Sequence, residues 1–188
     1  MSIVIRDPMS GLGATVDQQG SHGRLEVSSR SADRIHYAAR EGDAYTWTAI
    51  SADIDTGDTA LYVVNDSTTK GLYITKIYMW ADVPAQFKIH CPAYVLPAGG
   101  QVVVGVNMNR TAGAAAQATS RADETGNVFA AANVITTLHT NELTTDIRGQ
   151  WVDYGGALIL GYHDSVAVDI IGESAAFECT IMGYFHND

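Results

Sequence analysis

The feature that most constrains this chain is the close succession of short strand-like runs after residue 44. The runs are rich in aromatic and β-branched residues, and turn residues separate each one from the next. They cover residues 45–50, 59–64, 72–80, 86–90, 101–107, 133–138, 156–163, 165–171 and 177–185. No long helical pattern lies between them. This spacing predicts an all-β, mainly antiparallel fold, a β-sandwich of jelly-roll type.

The first thirty residues lack this strand pattern. Glycines interrupt any regular element there, and only residues 24–27 alternate like a short strand. We therefore predict an extended N-terminal arm over residues 1–30 and a β-sandwich domain over residues 31–188. A terminus without fixed structure is the alternative for the arm. Within the domain, residues 31–40 show a helical pattern that Gly42 is suited to end.

The chain carries few charges, and their balance is acidic. Charged residues make up 17% of its 188 residues, against roughly 25% in ordinary soluble domains, and the net charge is −10. An acidic surface repels phosphate backbones and anionic headgroups, so neither nucleic acid nor a membrane is expected as a partner. The N-terminal sequence lacks the pattern of a secretory signal, and no apolar run is long enough to suggest a membrane-spanning helix.

No catalytic motif stands out in the sequence. The nucleophile-elbow, zinc-protease and phosphate-loop patterns are missing, so we expect neither enzymatic activity nor a cofactor. The acidic run 53–58 places Gly57 and Val64 where a calcium loop needs ligands, and a hairpin turn is the better interpretation. Cys91 and Cys179 form no close pair of the kind found in zinc or redox motifs.

The six histidines are scattered, and His90 is predicted to be exposed because it faces away from the apolar side of its strand. Two groups of residues remain candidates for binding. The polar segment 109–127 is predicted to be a long loop, where Arg110 and Arg121 are suited to pair with carboxylates of a partner. In the alternative, Asn107 and Asn109 bond their own turn and Arg110 is solvated. The aromatic residues are expected first in the core, with a protein interface and then a sugar platform as the alternatives: Tyr45, Trp47, Tyr62, Tyr73, Tyr78, Trp80, Trp151, Tyr154, Tyr162 and Tyr184.

Several segments, taken in order, resemble structural proteins of tailed-bacteriophage particles. They include GRLEVS at 23–28, GDAYTW at 42–47, DTALYVVNDS at 58–67, LYITKI at 72–77, GVNMNRTAG at 105–113 and CTIMGYFH at 179–186. Each motif is loose, whereas their order over residues 17–186 is more specific. Met108 stands where this family usually has Leu, and Ser21 and His22 replace a more usual aromatic-containing opening.

The resemblance implies a non-enzymatic virion protein assembled in the host cytoplasm. A capsid decoration, or cement, protein is the first expectation, with the major capsid protein and a homotrimer of the chain itself as partners. A tail, fibre or baseplate component that binds a host glycan is the alternative, and a glycan hydrolase is the third hypothesis. We expect interface residues at Arg24, Leu25, Asn107, Asn109, Arg110 and Arg121.

Overall fold

The computed structural model describes residues 3–6, 13–16, 34–55, 58–91, 99–124, 134–139, 149–172 and 175–187. The chain divides into two compact units, Met1–Asp33 and Arg34–Asp188. In the first unit, β1 (Ile3–Arg6) and β2 (Gly13–Val16) pair as antiparallel strands. The expectation that glycines prevent regular structure before residue 24 is therefore wrong, because Gly13 itself pairs with Arg6. The strand predicted at 24–27 lies outside the described residues, and the boundary of the arm stays a prediction.

The second unit contains one helix, α1 (Arg34–Glu41), and two antiparallel sheets. The strands are β3 (Ala44–Ile54), β4 (Thr59–Asn65), β5 (Gly71–Ala81), β6 (Ala85–His90), β7 (Gln101–Val102), β8 (Val106–Asn107), β9 (Ala118–Glu124), β10 (Val134–His139), β11 (Gln150–Leu160), β12 (Ser165–Gly172) and β13 (Ala175–His186). Sheet I has the order β11-β5-β13-β3-β8. Sheet II has the order β10-β6-β12-β4-β9-β7.

Eight of these strands pair in a nested order. Strand β6 pairs with β10, β5 with β11, β4 with β12 and β3 with β13, and all four pairs are antiparallel. The inward side chains of both sheets pack into one apolar cluster that includes Trp47, Leu61, Ile77, Phe87 and Phe177. Burial of these large side chains from both sheets drives the packing of one sheet on the other. The prediction of an all-β, mainly antiparallel sandwich is confirmed.

Helix α1 covers one end of the outer face of sheet I. Its Ile35, Ala38 and Ala39 pack against a buried cluster of Ala44, Tyr73 and Tyr184. Gly42 ends the helix with a φ of 81°, a conformation that an L side chain rarely adopts. The amides of Gly42 and Asp43 donate to the carbonyl oxygens of Ala39 and Ala38, at 3.2 and 2.7 Å. The helix prediction and its end at Gly42 are confirmed for the residues that the structure describes.

The structure corrects three predicted elements. Residues 101–107 form two short strands in different sheets, because β7 pairs with β9 in sheet II and β8 pairs with β3 in sheet I. The predicted loop 109–127 contains β9, which pairs with β4. The acidic run 53–58 begins within β3, and a 3.1 Å bond from the amide of Asp58 to the carbonyl of Asp55 closes a turn after the strand. It is not a hairpin, since β3 and β4 belong to different sheets.

Candidate interaction surfaces

The two asparagines predicted as interface residues hold their own loop. The amide of Asn109 donates to Oδ1 of Asn107 at 2.8 Å, and the amide of Thr111 donates to Oδ1 of Asn109 at 3.1 Å. Nδ2 of Asn107 donates to the Gly42 carbonyl at 2.7 Å, and Nδ2 of Asn109 donates to the Arg40 carbonyl at 3.0 Å. The two bonds to Oδ1 are those of the predicted alternative, in which the asparagines bond the backbone of their own turn. The two bonds from Nδ2 in addition tie the loop to the end of α1.

The two predicted arginines lie on different elements of the fold. Arg110 follows Asn109 and is exposed. Arg121 lies on β9 opposite Val102, and its Nη1 donates to the carbonyls of Gly99 and Gly100, at 2.8 and 3.4 Å. Asn107, Asn109 and Arg110 thus belong to one hydrogen-bonded loop, whereas Arg121 belongs to β9. Arg24 and Leu25 lie outside the described residues, and an interface role for all six stays a prediction.

An apolar stripe runs along the segment that links β7 to β8. Val102, Val104, Val106 and Met108 are 70%, 74%, 47% and 41% exposed. We call these four residues the edge stripe. Because β7 and β8 are the edge strands of sheets II and I, the stripe lies where the chain crosses from one sheet to the other. Contiguous exposed apolar side chains at a sheet edge are typical of an interaction surface.

The inward side chains of the same segment fix the direction of the stripe. Val103 packs against the core, its amide donates to the Ser120 carbonyl at 3.1 Å, and Oγ of Ser120 donates back to the Val103 carbonyl at 2.6 Å. Gly105 lies against the buried ring of Trp47, where an added Cβ would be 2.5 Å from Nε1. Since alternate residues are held inward, Val102, Val104 and Val106 have to face outward.

A second apolar surface lies on the outer face of sheet I. Glu178 on β13 pairs with Ile50 on β3 and with Trp80 on β5, so these three side chains form one row. In the next row Tyr78 pairs with Trp151, and their ring centroids are 4.9 Å apart at 45°. Ile50 is 71% exposed and Trp151 is 54% exposed. We call these five residues the aromatic face.

Close packing holds the aromatic face in place. A Cβ on Gly149 would fall about 2 Å from the ring of Tyr78, so the Gly149 backbone lies directly against that ring. Burial, with a smaller contribution from the negative charge of Glu178, raises the pKa of Tyr78 above its ordinary value. The Tyr78 hydroxyl therefore stays neutral over the physiological pH range and presents a polar group without adding charge.

The ten aromatic residues noted in the sequence divide by burial. Those that are buried are Tyr45, Trp47, Tyr62, Tyr73 and Tyr184. Those that are half-buried are Tyr78, Trp80 and Tyr154, and those that are exposed are Trp151 and Tyr162. Half of these aromatic residues are therefore buried in the interior, while Tyr78, Trp80 and Trp151 remain accessible to a partner.

His90 is buried, contrary to the prediction from strand alternation. It is 2% exposed, and its Nε2 lies 2.8 Å from Oδ2 of Asp169. Alternation failed as a guide here because the outer side of sheet II is also covered around Tyr62, Val64 and Ala167. Oγ1 of Thr59 donates to Oδ1 of Asp169 at 3.1 Å.

Burial shifts both groups of this pair toward their neutral forms. It raises the pKa of Asp169 to about 7, although the Thr59 hydrogen bond and the positive charge of Lys88 act in the opposite direction. Burial, helped by Lys88, lowers the pKa of His90. Because both side chains are enclosed, the arrangement favours a structural role for the pair over an open acid–base centre.

The described residues were also compared with the patterns of a metal site, a membrane-spanning helix and a disulfide. Among them, no three His, Cys, Asp or Glu side chains lie together as metal ligands. No helix in the described part of the chain is long and apolar enough to cross a membrane. Cys91 and Cys179 are both free. No family model, curated protein or solved structure matches the chain.

The edge stripe was not predicted from the sequence, although the distribution of acidic residues marks the segment that carries it. The 40 residues from Val83 to Ala122 contain no Asp or Glu, although the chain has 21 acidic residues. This acid-free segment carries the whole stripe together with Lys88, Arg110 and Arg121. The rest of the chain holds eight basic residues against 21 acidic ones, a difference of −13 charges. Charge is therefore segregated along the sequence.

Proposed function

We propose that this chain is a structural protein of a tailed-bacteriophage particle. Its role is that of a capsid decoration protein, which binds the major capsid protein, associates as a homotrimer and stabilises the shell. The order of motifs along the sequence supports this assignment. The function is association and not catalysis, so it requires surfaces that bury apolar area against neighbours.

The nested strand order supports a jelly roll as the finer fold. The chain passes from β3 in sheet I to β4 in sheet II, then to β5 and β6, and returns through β10, β11, β12 and β13 as their antiparallel partners. A long hairpin with eight nested strands, folded into two four-stranded sheets, is the jelly-roll topology. Viral capsid domains and lectins share this fold, so it is compatible with the proposed role but does not by itself select it.

The observation that carries the proposal is the exposure of two apolar surfaces on one small chain. The edge stripe and the aromatic face together expose branched and aromatic side chains that a free monomer would ordinarily bury. Aromatic residues and Met are enriched in the centres of protein interfaces. A subunit with two such surfaces is suited to contact more than one neighbour in a particle.

Copy number in purified particles tests the role most simply. Quantitative mass spectrometry of virions, with the major capsid protein as internal reference, should give hundreds of copies for a decoration protein. A few dozen copies or fewer would contradict decoration and point to a tail component. Absence from particles would refute the virion role altogether.

A second candidate function, glycan binding by a tail or baseplate component, draws on the aromatic face. The exposed ring of Trp151 beside Tyr78 offers a surface on which a sugar could stack, with Glu178 as a nearby hydrogen-bond acceptor. Titration with host-surface polysaccharide tests this candidate. Binding that is lost in Trp151→Ala would support it, whereas no binding at millimolar sugar would exclude it.

A further inference from the structure

We infer that the edge stripe of one copy docks on the aromatic face of a second copy, in a head-to-tail contact. This inference rests on the proposed function and deepens it, because it assigns the surfaces through which the chain associates with itself. The two surfaces belong to the same compact unit, Arg34–Asp188, so each copy offers both.

The first argument is the chemistry of the edge stripe. Its four apolar side chains are flanked by cations, since Arg121 lies opposite Val102 and Arg110 follows Met108 by two residues. The acid-free segment supplies no carboxylate of its own to these arginines. The complementary surface should therefore be apolar at its centre and acidic at its margin.

The aromatic face supplies both kinds of group, with one carboxylate inside its first row and one beside it. Ile50, Trp80 and Trp151 provide apolar area, and Glu178 lies between the first two in the same row. Asp82 follows β5 and is exposed. Its Oδ1 accepts a 2.8 Å hydrogen bond from the amide of Ala176 near the start of β13, which places the carboxylate close to this row. The carboxylates of Glu178 and Asp82 are suited to bidentate pairing with an arginine of the neighbouring copy.

Charge also favours a head-to-tail contact over a symmetric one. If two edge stripes faced each other, the arginine-flanked segments of both copies would be brought together, and repulsion between like charges would oppose the contact. A contact between two different surfaces leaves one of each free on every dimer. Such a heterologous interface adds further copies until a ring closes, which is how a trimer would form.

The test uses one substitution on each surface and a matched control. Val104→Asp places a carboxylate in the edge stripe, and Ile50→Asp places one on the aromatic face. Both side chains are more than two-thirds exposed, so the fold is expected to survive, and circular dichroism checks this. Ile135→Asp is the control, because Ile135 is exposed on β10, the edge of sheet II opposite to β7.

The expected result distinguishes the two modes of association. Each of Val104→Asp and Ile50→Asp should associate at least tenfold more weakly than the wild-type chain and run as a monomer in native mass spectrometry. When mixed, they should form a dimer with one chain of each, because each variant retains the surface that the other lacks. Ile135→Asp should assemble like the wild type.

Three outcomes would overturn the inference. They are a wild-type chain that is monomeric at micromolar concentration, a Val104→Asp variant that associates normally, and two monomeric variants that do not pair when mixed. None of these results touches particle copy number, so the virion role would stand or fall separately. Loss of polysaccharide binding in Ile50→Asp, with the mass of the protein unchanged, would assign the aromatic face to a glycan instead.

Discussion

Replacing Gly105 with alanine tests whether the edge stripe is held as described. Gly105 lies in the segment between β7 and β8, against the ring of Trp47. An alanine Cβ there would be 2.5 Å from Nε1 of Trp47 and 2.8 Å from the Cβ of Ala116. Trp47 is fully buried and Ala116 belongs to a neighbouring backbone segment, so neither can move without disturbing the core.

The cost follows from this overpacking. Insertion of a methyl group into a closely packed site typically destabilises a protein by about 1–3 kcal/mol. For a chain of this size, each kcal/mol lowers the melting temperature by roughly 2–4 °C. Gly105→Ala should therefore lower Tm by roughly 2–12 °C, measured by thermal unfolding with circular dichroism. The tryptophan emission should also change, since Trp47 has to shift.

Gly113→Ala is the matched control for this experiment. A Cβ at Gly113 would meet nothing within 4 Å, so the same substitution should leave Tm almost unchanged. Equal melting temperatures for the two variants would refute the reasoning. They would mean that the 103–105 backbone does not pack on Trp47, and the outward direction of Val104 would lose its basis.

Three further predictions concern the loop, the buried pair and the interface. Asn109→Ala removes the bonds to Thr111 and to the Arg40 carbonyl, and chemical denaturation should show a loss of about 1 kcal/mol; an unchanged midpoint would contradict this anchoring. Burial raises the pKa of Asp169 to about 7, so the folded protein favours the protonated carboxyl. The contribution of Asp169 to the free energy of unfolding is therefore fully present below pH 4 and is lost as pH rises through 7. Asp169→Asn should therefore gain about 2 kcal/mol of stability relative to wild type between pH 5 and pH 8, from urea midpoints, and parallel pH profiles would be inconsistent with this. Arg110→Ala should weaken self-association or capsid binding at least tenfold in sedimentation or pull-down assays while the β-sheet spectrum stays the same; unchanged affinity would indicate a solvated Arg110.

Local patterns in the sequence were sufficient to predict those strands whose own residues favour β-structure. The runs around Trp47, Leu61 and Ile77 combine β-branched and aromatic residues with clear turns, and each forms a strand of the sandwich. The end of α1 was also predictable, since Gly42 supplies the left-handed conformation that the chain needs there.

Other features depend on contacts that are distant in sequence. Residues 102–106 of this run are all apolar, so nothing local marks the point near Gly105 where the chain leaves one sheet for the other. Strand β9 has the sequence ATSRADE, which has few β-forming residues, and it is held by pairing with β4. His90 is buried because the outer side of its sheet is covered, which strand alternation does not reveal.

The mass of the full-length chain in solution tests the central claim, self-association of a structural subunit, most directly. Light scattering on the purified protein at micromolar concentration should give a particle of three 20.1 kDa chains. The mass should persist after moderate dilution, since apolar surfaces make up most of the proposed contact. A clean monomer across the same range of concentrations would contradict the account.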